Sequence, residues 1–343
     1  MKSRQVVRFG VVCSAALCAS YCSYEVTETS TVMQAGSALQ GTQLHGMIAQ
    51  GSNVSGLAMH GFKFSGATKN GSALSNVRVV NGELLAEQGQ TTLSGSDFYD
   101  AHLLAEWWNT GVTPTATATV EYKVTAVQAE TSYDPTNTGS TYLYTLEQNV
   151  DDASDWQPAC PLDADSRRVA IPLVATWDQQ GNRVASNDLF TLGCTTGVLA
   201  KCYRWGYRPW VTSYGDLVSA HWTCTRLARA DYCGNGTSHT HDGTEINLWD
   251  NLPSPGPIQS RGTTPLLMFF EAGWNTSGAV CLSHARWLLG GNLIAQHCPN
   301  RLIAPGPLVL GATVCDTVAD VLGLGSSSQM FNDSNLNLNL DLL

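Results

Sequence analysis

The sequence predicts a mainly β protein that ends in a disulfide-rich α+β module, and three features point there. Residues 116–127 alternate threonine or alanine with Val120, Tyr122 and Val124, the period of two expected of a strand with one buried face. Residues 36–105 repeat instead with a period of five. Beyond residue 150, eight cysteines accompany a stretch in which Leu217, Ala220, His221, Cys224, Leu227, Ala228 and Asp231 fall in steps of three or four, the spacing of a helix.

The chain opens on Lys2, Arg4 and Arg8, followed by a short apolar run over residues 11–19. This pattern predicts a secretory signal over residues 1–22. The run is shorter than the about 20 apolar residues that cross a bilayer, and no later window is long enough, so no transmembrane span is expected. Cys18 and Cys22 are the positions open to lipidation, although Leu17 and Tyr21 precede them where lipoprotein signals prefer a small residue. The expected location is therefore secreted or cell envelope, with or without a lipid anchor.

In residues 36–105 the repeat places Leu39, Leu44, Ala49, Val54, Met59 and Phe64 five apart, each followed two places later by glycine. The phase continues through Leu74, Val79 and Leu84 and resumes at Leu93, Phe98 and Leu103. The segment resembles pentapeptide repeats, in which each central residue points into a square right-handed β-helix and each unit is stabilised by stacking on its neighbours. Lys69 and Gly89 break the pattern, and residues 77–86 read equally well as a hairpin turning at Asn81-Gly82. A pentapeptide-like or an irregular β segment are the two alternatives.

Residues 115–195 read as an antiparallel sandwich or partial barrel. Strands are expected at 116–127, 140–146, 169–177 and 189–194, with a turn at 179–182. At Gly197 the character changes: helices are expected over 198–205 and 216–232, the second stopped by Gly234 and Gly236. Short strands and proline-broken loops follow. The cysteine-rich module is set at 196–320 and a low-complexity tail at 324–343; about 320 mature residues exceed one comfortable core, so two domains are expected.

The eight later cysteines are Cys160, Cys194, Cys202, Cys224, Cys233, Cys281, Cys298 and Cys315. An even number behind a signal peptide argues for disulfides in an oxidising compartment, with 105 complete pairings open. No Cys-x-x-Cys spacing supports zinc instead. Only 13% of residues are charged and the net charge is −10; removing residues 1–22 removes three positive charges and makes it −13. An acidic chain without basic patches excludes nucleic acid as the expected partner.

Several blocks, in order, resemble the ADYC domain family of bacterial proteins over roughly residues 150–300. They are Phe190-Thr-Leu-Gly-Cys194, the run 199–210, Cys224-Thr-Arg-Leu-Ala-Arg-Ala-Asp-Tyr-Cys233-Gly-Asn-Gly, the run 242–250, Glu271-Ala-Gly-Trp274 and Gly278-Ala-Val-Cys281. The resemblance implies a secreted or surface-attached protein with a cysteine-stapled domain. It carries no catalytic residue across.

The candidate sites are few. His239 and His241, two apart, face one way on a strand and can reach one metal ion, with Asp231, Asp242 or His221 as third ligand; the competing reading is a polar loop, and no cofactor is expected. Asp231 is placed on the packed side of its helix, away from Arg226 and Arg229, where a carboxylate must be paired or hydrogen-bonded. It serves there either as acid or base, or by capping the amides of the following loop. Trp205, Trp210, Trp222, Trp249, Trp274 and Trp287 lie within 83 residues, either as core or as a sugar-stacking platform. No Gly-x-Ser-x-Gly elbow occurs, and His221, His284 and His297 are scattered.

Three functions follow. The first is a non-catalytic recognition or structural module, whose partner would be an envelope glycan or another surface protein. The second is a secreted hydrolase using Asp231, His239, His241 and Glu271, which requires those groups to converge in one open cleft. The third is a glycan-binding module, which requires two tryptophans exposed on one face.

Overall fold

A wall of strands separates two hydrophobic cores in this protein, and the reason is visible in its residues. In the computed structural model, strand β11 (Val169–Leu173) is buried along its whole length. Val169, Ile171 and Leu173 face one core and Ala170 faces the other. An unbroken apolar run suits a strand covered on both faces, where an alternating one would bury polar groups. Its neighbour β9 (Thr141–Val150) divides in the same way: Leu143 belongs to the first core, Tyr144 and Leu146 to the second.

The structure describes residues 47–50, 62–108, 116–130, 141–150, 155–178, 180–186, 189–240, 244–253, 257–258, 261, 268–286, 294, 298, 302–303, 315–324 and 327–335. All of them lie in one compact unit, Val32–Leu343. The signal, Cys18, Cys22, the first repeats and the alternating tail beyond residue 335 lie outside the described residues.

The large sheet adds β1 (Met47–Gln50), β2 (Phe62–Lys69), β3 (Ser72–Ala73), β7 (Ala101–Trp108), β8 (Ala116–Glu130), β10 (Gln157–Pro158) and β14 (Leu189–Cys194). Its order is β1-β14-β11-β9-β8-β7-β2-β3, with β10 added on β9. A lone parallel bridge, Ile48 to Lys63, brings β1 to β2. One bridge is not a ladder, so the barrel is left open.

A meander of β4 (Ser75–Val80), β5 (Glu83–Gln88) and β6 (Thr91–Ser94) covers this sheet. Its first turn is the expected Asn81-Gly82, with φ of 49° and 82°, the left-handed pair that matches strand twist in a two-residue hairpin. The Leu84 amide donates to the Tyr144 hydroxyl at 2.9 Å and ties meander to sheet. The fivefold repeat therefore takes its irregular-β alternative over residues 62–105. Leu84, Leu93 and Leu103 are buried as expected, but from antiparallel strands rather than stacked coils, while Phe98 is buried from a single 3-10 turn, Gly95–Phe98, and Leu74 from the link between β3 and β4. Of the glycines expected two places after each central residue, Gly66 lies within β2 and the others, at 41, 46, 51, 56 and 61, lie outside the described residues.

Past a small hairpin, β12 (Thr176–Trp177) with β13 (Arg183–Val184), come two helices. Helix α1 (Val198–Arg204) is buried at every residue. Helix α2 (Leu217–Ala228) begins at Asp216, whose carboxylate accepts the Ser219 amide at 3.1 Å. The Cys202–Cys224 disulfide joins the two helices inside the first core.

A second sheet runs β15-β19-β16-β17-β18, from β15 (Ile246–Asp250), β16 (Met268–Asn275), β17 (Gly278–Leu282), β18 (Leu302–Ile303) and β19 (Met330–Asn335). Strand β19 lies inside this sheet, between β15 and β16, although the sequence places residues 324–343 in a low-complexity tail. A short helix α3 (Val318–Gly323), opened by a Thr317–Asp320 capping box, lays Val321 against Gly273 of β16. The outcome is mainly β with antiparallel sheets and few helices, and no described helix is long and apolar enough to cross a membrane.

All eight later cysteines pair: Cys160–Cys194, Cys202–Cys224, Cys233–Cys298 and Cys281–Cys315. The first closes the end of β14 onto the chain after β10, and the last fixes the start of α3 to β17.

Candidate functional site

The run Ala230-Asp231-Tyr232-Cys233 begins where α2 stops. The Asp231 amide donates to the Arg226 carbonyl at 2.9 Å and the Ala230 amide to the Leu227 carbonyl at 3.0 Å. These two bonds form a Schellman motif, and its left-handed residue is Ala230, at φ 50°. The helix thus ends at Ala228, six residues before Gly234, the stop expected from sequence. An alanine holds a position that normally favours glycine, and its methyl is completely buried. The Arg229 carbonyl, left over at the helix end, accepts from the His239 amide at 3.1 Å and the Ser238 hydroxyl at 3.0 Å.

The reversal turns Asp231 back under the helix, so the wheel that set it away from Arg226 does not apply to it. Its carboxylate is fully buried, bonds Arg226 directly, and accepts the amides of Asn235 at 3.1 Å and Gly236 at 3.0 Å. Arg226, equally buried, also donates to the carbonyls of Gln180 at 2.6 Å and Thr276 at 3.2 Å, and to Asn182 Oδ1 at 2.7 Å. One guanidinium therefore gathers the small hairpin, the end of α2 and the β16–β17 turn.

Tyr232 passes to the other side. Its ring stacks on Trp274, with centroids 5.2 Å apart, and its hydroxyl donates to Glu271 Oε1 at 2.9 Å while accepting the Arg286 amide at 2.9 Å. Glu271 receives two guanidinium bonds from Arg286, both 3.0 Å, and the Asn332 side-chain amide at 2.8 Å. Asn332 in turn accepts the Trp274 indole N–H at 2.7 Å. Arg286 completes the knot by donating to the Leu227 carbonyl at 3.1 Å and the Ala228 carbonyl at 3.3 Å, the free end of α2. Burial pushes the Glu271 carboxyl up, but the charge and bonds of Arg286 outweigh it and hold Glu271 below the ordinary carboxylate value. Burial raises the Tyr232 hydroxyl well above its usual value, with the Glu271 charge adding to it.

Among its described members the hydrolase constellation does not assemble. Asp231 and Glu271 are each sealed at 0% exposure by their own arginine, so neither carboxylate faces a substrate. His239 turns Nδ1 to the Ala230 carbonyl at 3.0 Å and packs beside Tyr232. His241 and Asp242 lie outside the described residues, as does His297. Among the described residues no three metal-binding side chains cluster. His221 is buried between Trp177 and Tyr203, bonded to the Leu199 carbonyl at 2.9 Å, and takes no part in a site with His239. His284 Nε2 lies 3.1 Å from Ser334 Oγ, a pair the sequence did not single out, but Ser334 is wholly buried on β19 and offers no approach to a substrate.

The tryptophans are core or edge of core. Trp249 and Trp274 are buried, the second wholly, and Trp205, Trp210 and Trp222 are partly covered against the first core or the Arg226 guanidinium. Among the tryptophans whose side chains are described none is exposed, so the platform for a sugar ring is not met there; Trp287 lies outside the described residues.

A second polar knot joins sheet to helix: Arg204 of α1 pairs with Glu130 at 3.4 Å, Asp163 at 3.3 Å and Asp165, and Asp163 also accepts the Thr195 hydroxyl at 2.9 Å. Arg226, Arg286 and Asn332 were the partners missed from sequence; a buried acid implies a base, but nothing local says which.

A family model described as the ADYC domain matches residues 95–288, more than half of the chain and beginning earlier than the blocks read from sequence. Among curated proteins and among solved structures, nothing matches.

Proposed function

Because this chain belongs to the ADYC domain family, we propose that it is an exported, disulfide-stapled recognition or structural module of the bacterial envelope rather than an enzyme. The observation that carries this reading is the fate of the signature itself. Ala230 reverses the chain, Asp231 caps the next loop, Tyr232 bridges Glu271 and Arg286, and Cys233 forms a disulfide. The first three act inward and the fourth staples the loop that follows them. Such a signature supports a scaffold whose outer surface meets the partner, an envelope glycan or another surface protein. A signal over residues 1–22, with Cys18 or Cys22 as a lipid anchor, belongs to the same proposal, as does the absence of a bound cofactor.

The test is thermal melting of the oxidised protein carrying Asp231→Asn or Glu271→Gln. Removing one charge of a buried pair costs about 3–5 kcal/mol. For a chain of this size that amounts to about 4–7 °C in Tm, or loss of exported protein. A variant that keeps the wild-type Tm overturns the scaffold role and returns its carboxylate to the hydrolase reading.

A further inference from the structure

The four disulfides differ in their access to solvent. Cys160, Cys194, Cys202, Cys224, Cys281 and Cys315 are all buried, at 3% exposure or less. Cys233 and Cys298 are each only partly buried, at the margin of the first core. Exchange of a disulfide requires a thiolate to reach one of its sulfurs, so access ranks the four bonds.

We propose that Cys233–Cys298 is a thiol–disulfide exchange site that takes a dithiol as its reaction partner. One thiolate of the dithiol attacks a sulfur of the bond; the Cys233–Cys298 bond breaks, a mixed disulfide forms and the other cysteine leaves as thiolate. The second thiolate of the dithiol then attacks its tethered partner sulfur, closes the dithiol's own disulfide and releases the second cysteine. Two electrons pass to the protein, and both cysteines take protons from water.

The surroundings separate this step from unfolding. The loop carrying Cys233 is held without the bond: Asp231 caps its amides, the Ala279 amide donates to the Tyr232 carbonyl at 3.0 Å, and Gly234 lies directly against Ser277. The three buried disulfides hold the helix pair, the large sheet and the second sheet independently. Opening Cys233–Cys298 therefore leaves the signature turn seated and exposes two thiols on a folded protein.

The experiment treats the oxidised full chain with dithiothreitol under native conditions, quenches aliquots in acid, alkylates free thiols and maps the labelled peptides. Cys233 and Cys298 should label together, at least tenfold faster than the other six, with the far-ultraviolet circular dichroism unchanged at that point. Joint labelling of all eight, or another pair first, overturns the proposal. The Cys233→Ser, Cys298→Ser double variant should lose the fast phase and keep the slow one; a surviving fast phase overturns it equally.

Discussion

Gly234 follows the signature with φ of 66°, and a methyl added there would stand 2.1 Å from the Ser277 carbonyl oxygen. Gly278 meets it from the other side, its added carbon 2.5 Å from the Tyr232 carbonyl. Backbone is thus seated on backbone, and neither partner can yield as a flexible side chain would. Gly234→Ala should lower stability by about 2–3 kcal/mol, since strained φ and steric displacement act together. Gly66→Ala, at a position with open space and an ordinary φ, is the matched control and should be close to neutral. Denaturant titration of the two variants checks this; equal midpoints would refute the close seating. Some of this detail was legible beforehand. Asp231 as a cap on the amides beyond it followed from a buried acid needing bonds, and it does bond two of them. Arg226 as its partner was not legible, because a helical wheel assumes the helix continues, and Ala230 ends it.

At the level of elements, Arg286 couples the end of α2 to strands β16 and β19, with Glu271 as its counter-charge. Arg286→Met should cost about 3–5 kcal/mol, because it leaves Glu271 charged and buried. Pairing it with Glu271→Leu should recover part of that loss, since the double variant buries neither charge. Chemical denaturation of the single and double variants closes the cycle; strictly additive losses would show that the two side chains do not act as a pair. Strands β8, β9, β11 and β14 of the large sheet, both helices and the Asn81-Gly82 turn were legible because their signals are local: alternation, steps of three and four, and a dipeptide suited to left-handed geometry. Strand β19 was not. Phe331-Asn332-Asp333-Ser334 reads as loop, and only distant groups make its polar side chains fit a core: Trp274 and Glu271 for Asn332, Arg261 and Asn247 for Asp333, His284 for Ser334.

For the whole molecule, buried titratable groups set the response to acid. Burial lowers the His221 imidazole to about 3; the bond to the Leu199 carbonyl opposes this and the charge of Arg183 adds to it. In the unfolded chain the same imidazole titrates near 6.5, so between those values the unfolded state binds a proton that the folded state excludes. Its contribution is full above about pH 6.5 and is lost as pH falls toward 3, by up to ~1.4 kcal/mol per pH unit. Glu271 acts in the same direction, because its carboxyl is held below the unfolded value and its contribution disappears as pH falls through the folded one. Tm should therefore be level between about pH 7 and pH 9 and decline steeply below pH 6, and the His221 ring should give the nuclear magnetic resonance signature of a neutral imidazole at pH 5. A ring that titrates near 6.5 in the folded protein would contradict the burial described.

The position of β19 bears on how the protein is made. Strands β15 and β16 leave the ribosome first, yet each pairs with β19, which follows about 55 residues after β16 ends. Until those residues emerge the second sheet has a gap between β15 and β16, and the Glu271–Arg286 knot lacks Asn332. Assembly of this half waits for the end of synthesis, during which unpaired strand edges are open to proteases and holding chaperones. A nonsense codon just before Met330 would remove under a twentieth of the chain and leave a product destined for degradation.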